Sequence, residues 1–166
     1  MLDIIKPAKD VVSVLDFGCG TAHLYEYILN NNIQGIKYSG LDISDKFYQL
    51  CLKKFPDINF LKMDVMEDSA LPVYDYILMN GVFTEKVNLD YEEMMIYFQA
   101  LIKEVFPKCI FGTAFNVMSD NVDWQRDDLF HLPLGVLKEF LINSITDNYE
   151  IRDDYGLYEY TVYLYK

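Results

Sequence analysis

The stretch that most constrains the fold of this chain is residues 11–22, VVSVLDFGCGTA. Val11–Phe17 is a continuous, β-branched apolar run bounded by Gly18, which predicts a strand buried on both faces. Glycines at 18 and 20 let the backbone turn tightly and approach a ligand where a Cβ atom would clash. After Thr21, apolar residues fall on one helical stripe, namely Leu24, Tyr25, Ile28 and Leu29. The stretch therefore predicts a strand, a ligand-approaching turn and a helix.

Outward from this unit, short apolar runs alternate with helical patterns. The further predicted strands are Ile36–Leu41, Ile58–Met63, Tyr74–Met79, Lys108–Phe115, Tyr149–Arg152 and Tyr158–Tyr165. One predicted helix is capped by Ser44 and stops at Pro56, and Asp90 with Glu93 predicts a capping box that opens another. Such alternation predicts an α/β, doubly wound, mostly parallel sheet in a single domain over residues 1–166, closed by a C-terminal antiparallel hairpin.

The charge balance excludes several classes of partner. Fourteen Lys and Arg stand against 26 Asp and Glu, a net charge of −12. Binding to nucleic acid phosphates or to an anionic membrane needs a basic face, so we expect neither partner. The sequence contains no apolar run of about 18 residues and no secretory signal pattern. The three scattered cysteines form no CxxC pair, so we expect a cytoplasmic protein without a metal site.

The glycine turn also discriminates between cofactors. A dinucleotide-binding GxGxxG motif would need its third glycine at position 23, which is histidine here. A dehydrogenase is therefore not expected. Asp16, placed ahead of the glycines, points to a different class of protein.

Val14–Thr21, VLDFGCGT, resembles the first motif of class I S-adenosylmethionine-dependent methyltransferases, written VLDxGCGxG in that family. One departure is Ala22, where the motif ends in glycine. The resemblance implies a Rossmann-like, seven-stranded sheet and S-adenosylmethionine as cofactor. It places Gly18 and Gly20 under the amino-acid part of the cofactor, which Asp16 helps to orient.

Three further strand ends complete the predicted cofactor site. Asp42 ends the second strand, where one carboxylate can accept hydrogen bonds from both ribose hydroxyls; the alternative is that it caps the next helix, a role that Ser44 also suits. The resemblance implies that Asp64 accepts from the adenine amine with Val65 or Met66 beside the ring, and that Asn80 and Gly81 lie in the loop that faces the methyl donor and acceptor. The NPPY or DPPY tetrapeptide of base-methylating relatives is absent.

The acceptor side is predicted in the loops after the fifth strand. A hydroxyl or ammonium acceptor must lose a proton, which calls for a nearby base. His131 is the first choice for this base, with Asn116 as a second catalytic candidate; the alternative for His131 is a capping or packing role beside Pro133. Only ten residues precede the first predicted strand, so we expect an acceptor site that is open, closed by residues 116–132, or completed by another subunit in a homodimer.

These observations predict a methyltransferase that acts by direct in-line displacement on a hydroxyl or amine of a small molecule, such as a saccharide or another biosynthetic intermediate. Three rival hypotheses remain open. The chain could be a non-catalytic partner protein with this fold, an aminopropyl transferase, or a protein methyltransferase.

Overall fold

The computed structural model of the protein describes residues 1–6, 10–68 and 70–166. Within them, seven strands form one sheet in the order β3-β2-β1-β4-β5-β7-β6. The strands are β1 (Val12–Phe17), β2 (Ile36–Asp42), β3 (Asn59–Lys62), β4 (Tyr74–Phe83), β5 (Cys109–Met118), β6 (Tyr149–Arg152) and β7 (Glu159–Tyr165). The helices are α1 (His23–Asn30), α2 (Asp45–Lys54), α3 (Tyr91–Val105) and α4 (Leu134–Ser144), with short 3-10 turns at Leu2–Ile4 and Phe106–Lys108.

The sheet is parallel from β3 to β5, and β7 runs antiparallel between β5 and β6. This arrangement confirms the α/β, mostly parallel, seven-stranded sheet with a C-terminal antiparallel pair. The chain leaves β1 toward β2 and β3 on one side and returns with β4 on the other. The strand order therefore reverses beside β1, which is where open α/β sheets bind ligands at the carboxyl ends of their strands.

Helices cover both faces of the sheet, as predicted. On one face, α3 and α4 pack against the sheet around Phe98 and Phe115, which are fully buried. On the other face, α1 and α2 enclose a cluster that includes Tyr38 and Cys51. The N-terminal 3-10 turn inserts Ile4 into a neighbouring cluster on β1, β4 and β5.

Two strands extend three or more residues beyond their predicted ends, and β2 extends by one residue, to Asp42. The sequence predicts that β4 stops at Met79, but it continues to Phe83 after the register with β5 shifts between these residues. We call residues 80–82 the β4 bulge. The strand β5 continues to Met118 because β7 pairs along it as far as Glu159. Neither extension has a local sequence signal, since each depends on a partner strand distant in the chain.

The predicted capping box of α3 is confirmed. The Asp90 side chain accepts from the Glu93 N–H at 2.8 Å, and Glu93 Oε2 accepts from the Asp90 N–H at 2.9 Å. Ser44 accepts from the Phe47 N–H at the start of α2. These contacts set where the two helices begin.

The described residues include no helix that is both long and apolar enough to cross a membrane. The three cysteines are free and buried. The Cys51 thiol donates to the Gly20 carbonyl at 3.2 Å, and the Cys109 thiol donates to the Phe106 carbonyl at 3.0 Å. Both thiols therefore act as buried hydrogen-bond donors to backbone.

Candidate functional site

A cleft lies at the carboxyl ends of β1, β2 and β4. It consists of two adjoining cavities of about 570 Å³ and 430 Å³, which share Gly18, Phe47 and Asn80 in their walls. The first cavity also reaches Asp16, and the second reaches Asp42, Asp64 and Val65, with the two parts meeting at Asn80. The structure thus brings together the predicted cofactor-binding residues in one cleft, which we call the strand-end cleft.

The glycine turn has the backbone conformation that its residues predict. Gly18 and Gly20 have φ of 69° and 55°, in the left-handed region. A Cβ atom on Gly18 would lie 2.9 Å from Val82 Cγ2, whereas one on Gly20 would meet no protein atom within 4 Å. Ala22 also has a left-handed φ of 62°. Alanine therefore occupies, at a conformational cost, the position where the resembled motif has glycine.

Asp16 is buried at the end of β1, with 3% of its surface exposed. The Tyr38 hydroxyl donates to Asp16 Oδ2 at 2.7 Å. Burial raises the pKa of Asp16 to about 6; the hydrogen bond from Tyr38 opposes the rise and the nearby Asp42 carboxylate adds to it. An ionised Asp16 is therefore costly here, and a cation in the cleft would offset that cost.

Asp42 ties two loops of the cleft together. Its Oδ2 accepts from the Gly20 N–H and its Oδ1 accepts from the Ser44 N–H, both at 2.8 Å. The sequence gives no sign of the Gly20 contact, because the contact depends on the register between β1 and β2. Each carboxylate oxygen has a second lone pair, so Asp42 can still accept from a ligand. The capping alternative is only part of its role, since Ser44 Oγ caps α2 independently.

The remaining predicted cofactor residues line the second cavity. Asp64 Oδ1 accepts from the Met66 N–H at 2.9 Å, which stiffens the turn after β3. Val65 is buried, and Met63 and Met66 lie beside it in the cavity wall. The cavity wall here therefore combines a carboxylate with apolar side chains, a surface suited to a heteroaromatic ring that carries an amine.

Asn116 does not line the strand-end cleft but braces its edge. Its Oδ1 accepts from the Gly81 N–H, and its Nδ2 donates to Glu159 Oε2, both at 2.7 Å. Asn116 is 5% exposed. The structure thus gives Asn116 two partners inside the protein, in contrast to the contact with substrate that a catalytic role requires.

His131 is also separate from the strand-end cleft. It lines a smaller cavity of about 150 Å³ with Trp124, Arg126 and Tyr158. Its Nδ1 lies 2.6 Å from the Ser119 carbonyl oxygen, and its Nε2 accepts from the Arg126 N–H at 3.3 Å. With both ring nitrogens in contact with loop backbone, this geometry favours the packing alternative over proton transfer.

A further cavity, of about 620 Å³, lies near the opposite ends of the strands, where Ser13, Lys37 and Tyr74 stand at or next to the first residues of β1, β2 and β4. Ligands of open α/β sheets bind at the carboxyl ends, so this cavity is not the expected cofactor site. Among the residues that the structure describes, no group of three or more His, Cys, Asp and Glu side chains could hold a metal ion.

Sequence reasoning missed several residues that shape the site. Besides Tyr38 and Glu159, these include Lys54, whose ammonium donates to the Thr21 carbonyl at 3.0 Å and pairs with Glu26 at 2.8 Å. Burial raises the pKa of the Cys19 thiol far above its usual range, so Cys19 in the glycine turn is not a thiolate nucleophile. A local motif could not reveal the contacts of Tyr38 and Glu159, because each joins separate strands.

Comparisons with known proteins identify the family of the chain. A family model described as a methyltransferase domain matches residues 15–104. A protein of Mycobacterium tuberculosis described as a candidate methyltransferase is 25% identical over 169 residues, covering 98% of each chain.

Solved structures share the fold at low identity. A TehB-like S-adenosylmethionine-dependent methyltransferase from Corynebacterium glutamicum superposes with a TM-score of 0.60 at 14% identity, covering 96% of this chain and 83% of that one. Human N-acetylserotonin methyltransferase, solved with S-adenosylmethionine, gives a TM-score of 0.69 at 13% identity, covering 93% and 47%. Three further matching structures are longer, and this chain spans 53%, 62% and 50% of their lengths.

Proposed function

The chain belongs to the methyltransferase domain family, with the class I fold and S-adenosylmethionine as cofactor, and from that premise we propose that it methylates a hydroxyl or amine of a small molecule. The observation that carries this proposal is the strand-end cleft. The cleft gathers three strand-end carboxylates and a glycine turn. Asp16 and the turn lie on one side of Asn80, and Asp42 and Asp64 lie on the other.

The residues of the cleft fit the cofactor chemically. The turn at Gly20 leaves open space where a Cβ atom would stand, so backbone can approach a ligand there. Carboxylates suit the cationic and hydroxyl-bearing parts of the cofactor, and the apolar wall around Val65 suits its adenine ring. The residues at each end of the cleft therefore suit the part of the cofactor that we place there.

We assign each residue one role in holding the cofactor. Asp16 orients the amino-acid part, with Gly18 and Gly20 beneath it. Asp42 accepts from the ribose hydroxyls, using the lone pairs that its contacts to Gly20 and Ser44 leave available. Asp64 accepts from the adenine amine, Val65 packs beside the ring, and Asn80 faces the reacting methyl group.

The cofactor supplies a methyl group that is already activated on a positively charged sulfur. When bound, the cofactor would undergo in-line displacement, in which an acceptor lone pair would bond to the methyl carbon as the carbon–sulfur bond breaks. The protein then has two tasks, to align the acceptor and to exclude water. An acceptor hydroxyl or ammonium must also release a proton, and the polar side chains of Thr21, His23 and Asn80 border the cleft where an acceptor would enter.

The acidity of the chain supports a small acceptor over nucleic acid, because the net charge of −12 repels phosphates. A cytoplasmic location is part of the same proposal. The class of acceptor separates this proposal from its rivals, since a protein methyltransferase would act on peptides and an aminopropyl transferase on polyamines.

Calorimetric titration with S-adenosylhomocysteine tests the cofactor assignments. We expect micromolar binding, about −8 kcal/mol, and no heat with NAD. Asp42→Ala should weaken binding at least about a hundredfold, because it removes both the ribose acceptor and the contact that holds Gly20. Asp45→Ala is the matched control: it removes the same charge from an exposed residue whose partner is Lys62, and it should bind as the unaltered protein does.

A methyl-transfer assay then tests the acceptor class. Small hydroxyl and amine compounds, a basic peptide and an oligonucleotide are each incubated with labelled S-adenosylmethionine. Transfer to a small compound supports the proposal, and transfer to the peptide alone would replace it with protein methylation. Absence of binding to any adenosyl ligand would instead favour a non-catalytic protein with this fold.

A further inference from the structure

The β4 bulge needs hydrogen-bond acceptors from outside the strand ladder. The ladder between β4 and β5 pairs Met79 with Phe115 and next pairs Phe83 with Val117, so four steps on β4 match two on β5. Backbone N–H groups inside such a bulge lose their strand partner. Asn80 and Gly81 are exposed, so either water or another part of the chain can supply the missing acceptors.

Asn116, between the two flanking partners on β5, supplies that acceptor. The Gly81 N–H donates to its Oδ1 at 2.7 Å. Gly81 has a left-handed φ of 79°, so the bulge turns at this residue. The neighbouring Asn80 side chain lines both parts of the strand-end cleft. A contact to Gly81 therefore sets the position of Asn80, where the two cavities of the strand-end cleft meet.

Glu159 fixes the direction in which the Asn116 amide faces. An amide presents an acceptor on one side and a donor on the other, whereas a carboxylate only accepts. Because Nδ2 donates to Glu159 Oε2 at 2.7 Å, Oδ1 is left to face Gly81. Asn116 is almost wholly buried, whereas Glu159 is half-buried and Gly81 is exposed, so the amide is shielded from water on its own side of each contact.

We propose that Asn116 and Glu159 are positioning residues for methyl transfer, which hold the β4 bulge so that Asn80 stands at the junction of the cleft. We call the chain of contacts from Glu159 through Asn116 to Gly81 the β7 brace. The inference rests on the proposed function, since it concerns the same cleft. It reassigns Asn116 from contact with the substrate to control of the loop that faces the methyl group.

A charge-swap experiment tests the β7 brace. In Asn116→Asp, one carboxylate oxygen still accepts from Gly81, but the other faces the Glu159 carboxylate, with no donor between them. We expect S-adenosylhomocysteine to bind about tenfold more weakly. We also expect faster amide hydrogen exchange at Gly81. Combining Asn116→Asp with Glu159→Gln restores a donor opposite the new carboxylate, and binding should return to within about threefold of the unaltered protein.

Glu150→Gln is the matched control for Glu159→Gln. It makes the same charge change at an exposed position on β6, the strand that pairs with β7. The proposal is overturned if Asn116→Asp changes neither measurement, or if the double variant is as impaired as the single one. A defect that comes from the substitution at residue 116 alone would persist in the double variant, because it does not depend on the charge at residue 159.

Two measurements keep the test decisive. If Asn116→Asp does not fold, Glu159→Ala removes the outer contact from a half-buried position, and unchanged Gly81 exchange in that variant overturns the brace. If the unaltered protein does not bind S-adenosylhomocysteine, the proposed function fails instead. Gly81 exchange then tests the brace without any cofactor.

Discussion

The two sides of the strand-end cleft are built in different ways. The cofactor side, from β1 to the end of β4, uses contacts between loops near in sequence, such as Asp42 with Gly20, 22 residues away, and with Ser44, two residues away. The side formed by β5 and β7 uses distant contacts, with 35 residues between Gly81 and Asn116 and 43 between Asn116 and Glu159. The residues that line the first side therefore fall in short motifs, although the Asp42–Gly20 contact itself depends on strand register, whereas the contacts of the second side have no local motif.

The two sides of the strand-end cleft also differ in how much their residues contribute to stability. On the cofactor side, Asp16 and Ala22 occupy states that are unfavourable in the ligand-free protein, a buried carboxylate and a left-handed alanine. On the other side, the ladder between β5 and β7 and the packing of α4 are regular. We therefore expect substitutions on the two sides to affect stability and binding in different proportions.

The largest expected effect on stability is at Gly112 in β5. A Cβ atom there would lie 2.3 Å from the Leu164 carbonyl oxygen of β7, so Gly112→Ala must push the two strands apart. We expect a loss of about 3 kcal/mol and a melting temperature about 6–12 °C lower. Thermal denaturation followed by circular dichroism measures this loss.

Gly135→Ala is the control, because a Cβ atom on Gly135 in α4 meets no atom within 4 Å. Gly112 pairs with Tyr165, at the end of β5 away from the brace, so the folded Gly112→Ala protein should bind S-adenosylhomocysteine within about threefold of the unaltered affinity. A parallel collapse of binding would show that the two sides are not independent.

The next effect is a gain in stability from loss of a functional carboxylate. The pKa of Asp16 is raised from 3.8 to about 6, so the folded state binds a proton more tightly than the unfolded state between these values, and stability falls as pH rises through that window. At pH 7 the ionised carboxylate costs up to about 3 kcal/mol. Asp16→Asn should therefore stabilise the ligand-free protein by about 2 kcal/mol at pH 7, and by much less below pH 4.

Asp16→Asn should also bind S-adenosylhomocysteine more weakly, because the ligand's ammonium group loses its proposed charged partner, the Asp16 carboxylate. Asp75→Asn is the matched control: Asp75 Oδ2 accepts from both the N–H and the hydroxyl of Ser13 at 2.7 Å, away from the cleft. It should lose about 1 kcal/mol of stability and keep its affinity. Denaturant titrations at pH 4 and pH 7, with calorimetry, distinguish the two; a destabilised Asp16→Asn protein would contradict the prediction.

The smallest expected effect is at Ala22. Glycine adopts the left-handed region without the Cβ penalty, but the substitution also removes a fully buried methyl group, so Ala22→Gly should raise the free energy of unfolding by only about 0.5 kcal/mol, or about 1–2 °C in melting temperature. Asn32→Gly is the comparison variant, since Asn32 has a φ of 51° but asparagine tolerates this region. An equal gain in both variants would show that the strain is not specific to alanine.

Sequence alone predicted the alternating elements, the sheet and the residues that line the cleft, because each depends on a local pattern: the apolar run before Gly18, or the carboxylate that ends β2. The β4 bulge and the β7 brace could not be predicted. They depend on the register in which Asn116 lies opposite Thr161 and Met118 opposite Glu159, and no local pattern specifies that register.

The catalytic predictions for Asn116 and His131 depended on residue type and on their position in the loops after β5. Residue type does not show which backbone N–H and carbonyl groups will contact a side chain in the folded protein. The Ser119 carbonyl and the Arg126 N–H meet the two nitrogens of His131 only because residues 119–131 close into a compact loop. Their catalytic roles stay untested predictions, and the geometry supports structural roles for both.

The position of β7 between β5 and β6 also has a consequence for synthesis on the ribosome. All the motif loops of the cleft have been translated by residue 83, whereas Glu159 follows 76 residues later. At about 5–20 residues per second, that interval lasts roughly 4–15 s. Because β5 ends at Met118, the nascent chain has an unpaired β5 edge during the last 41 residues of that interval, roughly 2–8 s, and chaperones or a neighbouring nascent chain could engage it. The last of these seven strands to emerge is thus the one that both covers this edge and completes the cleft.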